Sequence, residues 1–331
     1  MPKPKIKISV IVQTARLDFP ILKRPDLHLF APTLRTLESQ TFPHKEFELI
    51  LSDSRWEQRK GMFSSNEQLD AFTFPIKHIP VYSKWKDMGY WHAQANVNQG
   101  LIEADGELII LSGDCGEFPP NSLQKFWDLY QEGYFASAFV NYIAVGSTIE
   151  REMLNSTRPD HRYQFLKGEN RWFPMGQQVF GYNSYSMDAI LECNGADELF
   201  DGDKALGDCD TAMRLERASY KHIMDKDLAI YEHHHYGIPK EILFGKQYEC
   251  WKYNYSLIIL SDLHKRIRAN DYTLSDEDMT FMRTQAENME INWKFNWDNP
   301  IAKFWKENPP LFNLKELREK RLNGERITYR W

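Results

Sequence analysis

The chain opens on a strict alternation. Ile6, Ile8, Val10 and Val12 alternate with Lys5, Lys7 and Ser9, and Ile11 makes the end apolar on both sides. Period two with an apolar finish predicts a strand entering a buried sheet. Pro20, Pro25 and Pro32 interrupt any period after it. A helix is then predicted over 32–40, with proline near its first turn and Leu34 and Leu37 on one face. Phe47–Leu51 predicts a second strand ending in Ser52-Asp53-Ser54, and Ile76–Val81 a third. The pattern next predicts a helix over 93–104, closed by Asp105-Gly106, and a short buried strand at Leu108–Leu111. Strands alternating with helices imply a mostly parallel sheet flanked by helices, an α/β, Rossmann-like architecture.

Beyond residue 135 the period changes. Phe135–Val145 reads as a strand, 150–175 as a long loop or lid, and Asp208–Ala218 as a helix with an acidic start. From about Lys240 the chain reads as helical and aromatic. Ser275 with Asp278 forms a capping box, and Met279, Met282, Ala286 and Met289 follow at helical spacing as core positions. Asn308-Pro309-Pro310 breaks the pattern, and Leu314–Trp331 reads as a terminal helix packed on the domain. This divides the chain into an α/β domain, 1–240, and a helical C-terminal extension, 241–331.

With 331 residues the chain is long enough for a sizeable core, and 42% hydrophobic and 27% charged residues is globular composition. No apolar run reaches the roughly 18 residues of a membrane span. The start reads as a strand with no cleavage site of small residues, so a cytoplasmic protein is expected. The formal net charge of −6 disfavours broad, sequence-independent nucleic-acid binding. Four cysteines without CxxC spacing fit reduced thiols better than a disulfide frame or a zinc knuckle.

Neither GxxxxGK[ST] nor a GxGxxG after the first strand is present. Acidic residues stand at strand ends instead: Asp53 after the second strand, and Asp114 in Leu111-Ser112-Gly113-Asp114-Cys115. Ligands of open α/β sheets bind beyond the carboxyl ends of the strands, so both carboxylates point to one crevice. Either could equally be a turn or cap residue. Gly207-Asp208-Cys209-Asp210 opens a helix, where a carboxylate serves as a cap or as a general base. Tyr231-Glu232-His233-His234-His235 carries three successive histidines; in extended backbone His233 and His235 share a side. Carboxylate plus imidazole suits Mn2+ as well as Mg2+.

In order and spacing these pieces resemble the family 2 type of glycosyltransferase, with the GT-A fold of nucleotide-diphosphosugar transferases. Ile8–Thr14 resembles its opening strand and nucleotide-binding turn, 34–41 its first helix, and 47–54 the strand whose aspartate contacts uracil or ribose. Asn98-Gln99-Gly100 and Ala104–Glu107 resemble the approach to the metal motif; 194–198, Gly207-Asp208 and Arg214-Leu215 resemble the acceptor side. The resemblance covers roughly residues 5–237. It implies a nucleotide-sugar donor, UDP-linked in this reading, held by Thr14, Arg16, Asp53, Asn98 and Gly113. It also implies an inverting displacement with Asp208 as base and Asp210 in reserve, and Mn2+ or Mg2+ on Asp114 with His233 or His235. The acceptor stays open among glycan, lipid, protein and modified nucleobase. The C-terminal segment would shape the acceptor side or contact a second copy.

Two departures from the family pattern stand out. Its Asp-x-Asp begins here with Ser112, and its Glu-Asp pair reads Gly207-Asp208. Ser112 supports the rival reading, a catalytically inactive binder of nucleotide or glycan. A nucleotidyltransferase would be expected to carry a glycine-rich basic loop after the first strand, and none is present.

Overall fold

A computed structural model of the chain describes residues 5–14, 31–60, 72–87, 92–144, 157–159, 170–179, 181–202, 206–234, 251–289 and 300–327. Arg16, His235 and Cys250, and the side chain of His233, lie outside the described residues, as does the boundary expected at 240.

Ten strands form one sheet: β1 Ile8–Thr14, β2 Phe47–Asp53, β3 Ile76–Pro80, β4 Leu108–Gly113, β5 Gly116–Glu117, β6 Phe135–Ala144, β7 Thr157–Pro159, β8 Arg171–Trp172, β9 Asn183–Ser186 and β10 His222–His234. The spatial order is β3-β2-β1-β4-β9-β6-β10-β5, with β7 on β6 and β8 on β10. β3, β2, β1 and β4 are mutually parallel, as the alternating pattern predicts. β9 runs antiparallel between β4 and β6, and β6 and β10 are parallel again. The carboxyl ends of β1, β2, β4, β6 and β10 therefore share one edge.

Both faces of the sheet are covered, which is why its strands read as apolar runs. Ile8, Val10, Val12, Leu49 and Ile110 pack with Leu34 and Leu37 of the Ala31–Glu38 helix and with Leu123 and Phe126 of the Ser122–Gln131 helix. Ile11, Ile50 and Ile109 face the other way, onto Val97 and Leu101 of the Ala93–Glu103 helix and Leu215 of the Gly207–Arg217 helix. Gly100 makes that approach possible: a Cβ there would lie 2.4 Å from Cγ2 of Ile11.

The stretch 150–175, read as a loop, contributes two edge strands, β7 and β8. At three and two residues they are too short to show a period.

The described C-terminal residues form helices Trp251–Leu263, Asp276–Asn288, Pro300–Glu307 and Leu314–Leu322. The Ser275–Asp278 capping box is present in both directions, and Met282 and Ala286 are buried. A third core joins Tyr253, Leu257, Leu260, Met282, Ile301 and Trp305 to Trp85, Leu199 and Phe200 of the α/β part. The last helix is tied to the end of the Ala93–Glu103 helix by Arg321, which donates to the Glu103 and Asp105 carboxylates at 3.0 and 2.7 Å. Cys115, Cys193 and Cys209 are buried and not disulfide-bonded. Among the described residues no helix is long and apolar enough to cross a membrane.

Candidate active site

Register builds the first half of the site. Parallel pairing sets Thr14 beside Asp53 and Gln13 beside Gly113, so three strand ends meet at one edge. Their side chains form one chain of hydrogen bonds. Thr14 Oγ1 donates to Asp114 Oδ2 at 2.8 Å, and Arg59 Nη1 donates to Thr14 Oγ1 at 3.1 Å and to Asp53 Oδ1 at 3.3 Å. The Arg55 backbone N–H donates to Asp53 Oδ1 at 2.8 Å, and His78 Nε2 lies 2.9 Å from Asp53 Oδ2. Asp53 is fully enclosed, Thr14 and Asp114 nearly so. A buried carboxylate needs such donors, because removal from water without them is costly.

Thr14, Asp53 and Asp114 are residues that the sequence singles out. Arg59 and His78 are not: no motif marks them. Arg59 closes the four-residue helix Trp56–Arg59, and His78 arrives on β3 opposite Leu51. Gly113 is half-buried at the end of β4 and its carbonyl accepts from Ser112 Oγ at 2.8 Å. Ser112 thus turns its hydroxyl onto the carbonyl of the next residue. Asn98 sits deeper: its Nδ2 donates to the Ala196 carbonyl and to Glu198 Oε1, and its Oδ1 accepts from the Ala196 N–H.

The second half comes from the Gly207–Arg217 helix. Its cap is Leu206 in the left-handed region, at φ 71°, a conformation costing roughly 1–2 kcal/mol for a residue with a side chain. Asp208 therefore stands in the first turn and not at the cap. Its Oδ2 accepts the Gly181 N–H at 3.0 Å and its Oδ1 the Cys209 N–H at 3.0 Å. Gly181 lies two residues before Asn183, which pairs with Leu111 at the threshold of Ser112-Gly113-Asp114. The Asp208 carboxylate is thereby pinned to the same sheet edge as Thr14, Asp53 and Asp114.

Asp210, two residues on, faces the interior. It is fully buried, accepting from Arg214 Nε at 2.7 Å and Ser261 Oγ at 3.0 Å. Arg214 also donates to the carbonyls of Cys193 and Gly195. The acidic run Asp197, Glu198 and Asp201 is buried below: burial pushes Glu198 up to about 7 and Asp201 well above the usual carboxylate range. Asp197 is raised by burial against the opposing pull of Arg266, 2.9 Å away.

For a metal, the described side chains offer Asp114. Among the described residues no three His, Cys, Asp or Glu side chains gather as a metal centre requires. The backbone register adds a second observation. β5 and β10 pair Gly116 with Glu232, so the next residues along each strand are Cys115 and Asp114 on one, His233 and His234 on the other. The backbone of His233 and His234 thus follows Glu232 at the end of β10 that pairs with β5, which begins just after Asp114 and Cys115 in the chain; carboxylate and imidazole are donor types that suit Mn2+ or Mg2+.

No family model matches the chain, and no curated protein matches it. Solved structures do match. S. aureus TarS, residues 1–349 in complex with UDP, superposes with a TM-score of 0.53 at 12% identity, covering 98% of this chain and 94% of that one. The same protein with UDP-GlcNAc gives 0.52 at 12% identity over 98% and 93%. GalNAc-T7 with UDP, GalNAc and Mn2+ gives 0.54 at 12% identity over 97% of this chain and 57% of its own. At such identity the likeness speaks for the fold alone, and the fold is that of the GT-A glycosyltransferases.

Proposed function

We propose that the protein is an inverting glycosyltransferase of the family 2 type that moves a sugar from a UDP-sugar to an acceptor hydroxyl. The observation that carries the reading is the shared edge: the Asp208 carboxylate, held by the Gly181 N–H, stands by the strand end that leads into Asp114. Thr14 and Asp53 face the same edge and would hold the nucleoside. Solved structures of the same fold in complex with UDP, with UDP-GlcNAc, or with UDP, GalNAc and Mn2+ support the donor class.

In this mechanism Asp208 takes the acceptor hydroxyl proton as that oxygen attacks the anomeric carbon, and the nucleoside diphosphate leaves. Two backbone N–H groups orient the carboxylate for that task. Asp210 and Asn98 serve as buried supports, the first fixing the base-bearing helix and the second the 196–198 segment. Mn2+ or Mg2+ would be held by Asp114 with His233 or His235, supplying positive charge for the departing diphosphate. Helices of 251–327 would shape the acceptor side.

Release of UDP from UDP-sugars, with water as acceptor, tests the reading. Asp208→Asn keeps shape and removes the base, so turnover falls on the order of 10²–10⁴ with UDP affinity retained. Wild-type protein that binds UDP yet never releases it from a UDP-sugar supports the second reading, an inactive binder. That reading draws on Ser112, whose hydroxyl is directed to the Gly113 carbonyl.

A further inference from the structure

Asp208 is held by a peptide that is itself held. The Gly181 N–H donates to Asp208 Oδ2 at 3.0 Å, and Asn183 Nδ2 donates to the Gly181 carbonyl at 3.1 Å. Gly181 stands at φ 81°, in the left-handed region that glycine enters without steric cost. Such freedom needs a restraint, and the Asn183 amide supplies one. With Nδ2 facing the Gly181 carbonyl, Oδ1 is turned away from it. Among the described residues Asn183 Oδ1, Ser137 Oγ and Tyr185 OH are buried and meet no hydrogen-bond partner, and all three residues are fully enclosed. They share one face of the sheet. Ser137 pairs with Asn183 across antiparallel β6 and β9, and Tyr185 follows Asn183 by two residues.

The pairing brings these atoms close. The Ala138 N–H donates to the Tyr182 carbonyl at 2.9 Å, which makes Ser137 and Asn183 a non-hydrogen-bonded pair, the kind whose Cα atoms lie about 4.5 Å apart with side chains nearest. Polar atoms so placed, yet without direct bonds, leave a gap that one water spans, since a bridging water joins groups roughly 5.5 Å apart. Tyr185 brings a donor to it. Burial, then the Asp208 carboxylate and Cys209, push its phenol well above the ordinary value against the pull of Arg214 and Asn183, so the O–H keeps its proton. Buried waters take about three such partners each, and three are present here.

We propose that Ser137, Asn183 and Tyr185 build a buried site for one ordered water, and that Asn183, held by that water, is the positioning residue that aims the Gly181 N–H at the Asp208 carboxylate. The role in catalysis rests on the reading of Asp208 as the general base; the water site and the Gly181 tie do not.

Chemical denaturation and amide exchange of the full chain test it. Tyr185→Phe and Ser137→Ala each delete one hydroxyl. Where the hydroxyls bind water, each change raises the unfolding equilibrium constant roughly three- to tenfold, the usual worth of one hydrogen bond. Dry orphans give the opposite sign, because deleting an unpaired buried polar atom stabilises the fold; two variants as stable as wild type or more so overturn the water site. Asn183→Ala should speed exchange of the Gly181 amide roughly tenfold, as Asp208→Ala does, and unchanged protection of Gly181 overturns the positioning role. Turnover gives a third readout. With UDP-GlcNAc as donor and water as acceptor, Asn183→Ala should lower kcat roughly ten- to a hundredfold and leave KM and the calorimetric affinity for UDP within about twofold. A merely structural asparagine would weaken KM and UDP binding along with kcat. A wild type that releases UDP from no UDP-sugar removes the glycosyltransferase reading, while denaturation and exchange still decide the water site and the Gly181 tie. Should Asn183→Ala not fold, Tyr185→Phe decides: it takes one partner from the water and should speed Gly181 exchange severalfold.

Discussion

Glu198→Gln should stabilise the protein at alkaline pH and leave it little changed in acid. Glu198 is almost wholly buried in the short 3-10 turn Glu198–Phe200, and its Oε1 accepts from Asn98 Nδ2 at 3.0 Å. Burial raises its pKa to about 7 from 4.5, with the Asn98 hydrogen bond opposing and Asp197 adding. A group whose folded pKa is raised contributes stability that is fully present below 4.5 and is lost as pH rises through 7. At about 1.4 kcal/mol per pH unit, the loss between pH 5 and pH 8 comes to roughly 2–3 kcal/mol. Glutamine keeps the acceptor for Asn98 and carries no charge, so it escapes the loss. His222 runs the other way: burial lowers its pKa to about 4 from 6.5, so its contribution is present above 6.5 and is lost as pH falls through 4. The wild-type profile sums opposing slopes, and the difference between wild type and variant isolates Glu198. Chemical denaturation at pH 5, 6, 7 and 8 should show that difference growing in favour of the variant. A difference that is flat across the range, or a variant less stable at pH 8, would refute the reasoning.

Other expectations follow from single contacts. Gly207→Ala places a Cβ 2.1 Å from Gln94 Nε2 and should cost about 1–3 kcal/mol; adding Gln94→Ala should recover most of it, as a double-mutant cycle would show. Arg321→Ala removes the ties to Glu103 and Asp105 and should cost about 1–2 kcal/mol, with amide exchange rising first in the Leu314–Leu322 helix. Trp305→Ala empties a fully buried site against Trp85 and frees the Asp201 carbonyl, for about 3–5 kcal/mol in thermal denaturation. Asp114→Ala should abolish any gain in UDP affinity brought by Mn2+; an equal gain in wild type and variant would remove Asp114 from the metal's ligands.

The sequence by itself determined the parallel half of the sheet. β1, β2 and β4 bury both faces, so their apolar runs and polar ends are written in the residues. It also placed Thr14, Asp53 and Asp114 at strand ends and Asp208 at a helix start, since those positions follow from the element boundaries alone. β9 stayed hidden because it is four residues long and two of its three buried residues, Asn183 and Ser184, are polar; Ser184 is held by bonds such as the Ala136 N–H to its Oγ. β10 stayed hidden because a register shift between Asp225 and Ala229 breaks its period. The roles of neighbouring carboxylates were likewise illegible. Asp208 and Asp210 are two residues apart in one helix, yet one meets the Gly181 N–H at the crevice edge and the other is locked to Arg214 and Ser261. Tertiary packing separates them, because Gly181, which claims the first, and Ser261, which with Arg214 claims the second, come from distant parts of the chain. The same holds for Arg59 and His78, which reach Asp53 through a short helix and a neighbouring strand that local sequence does not connect.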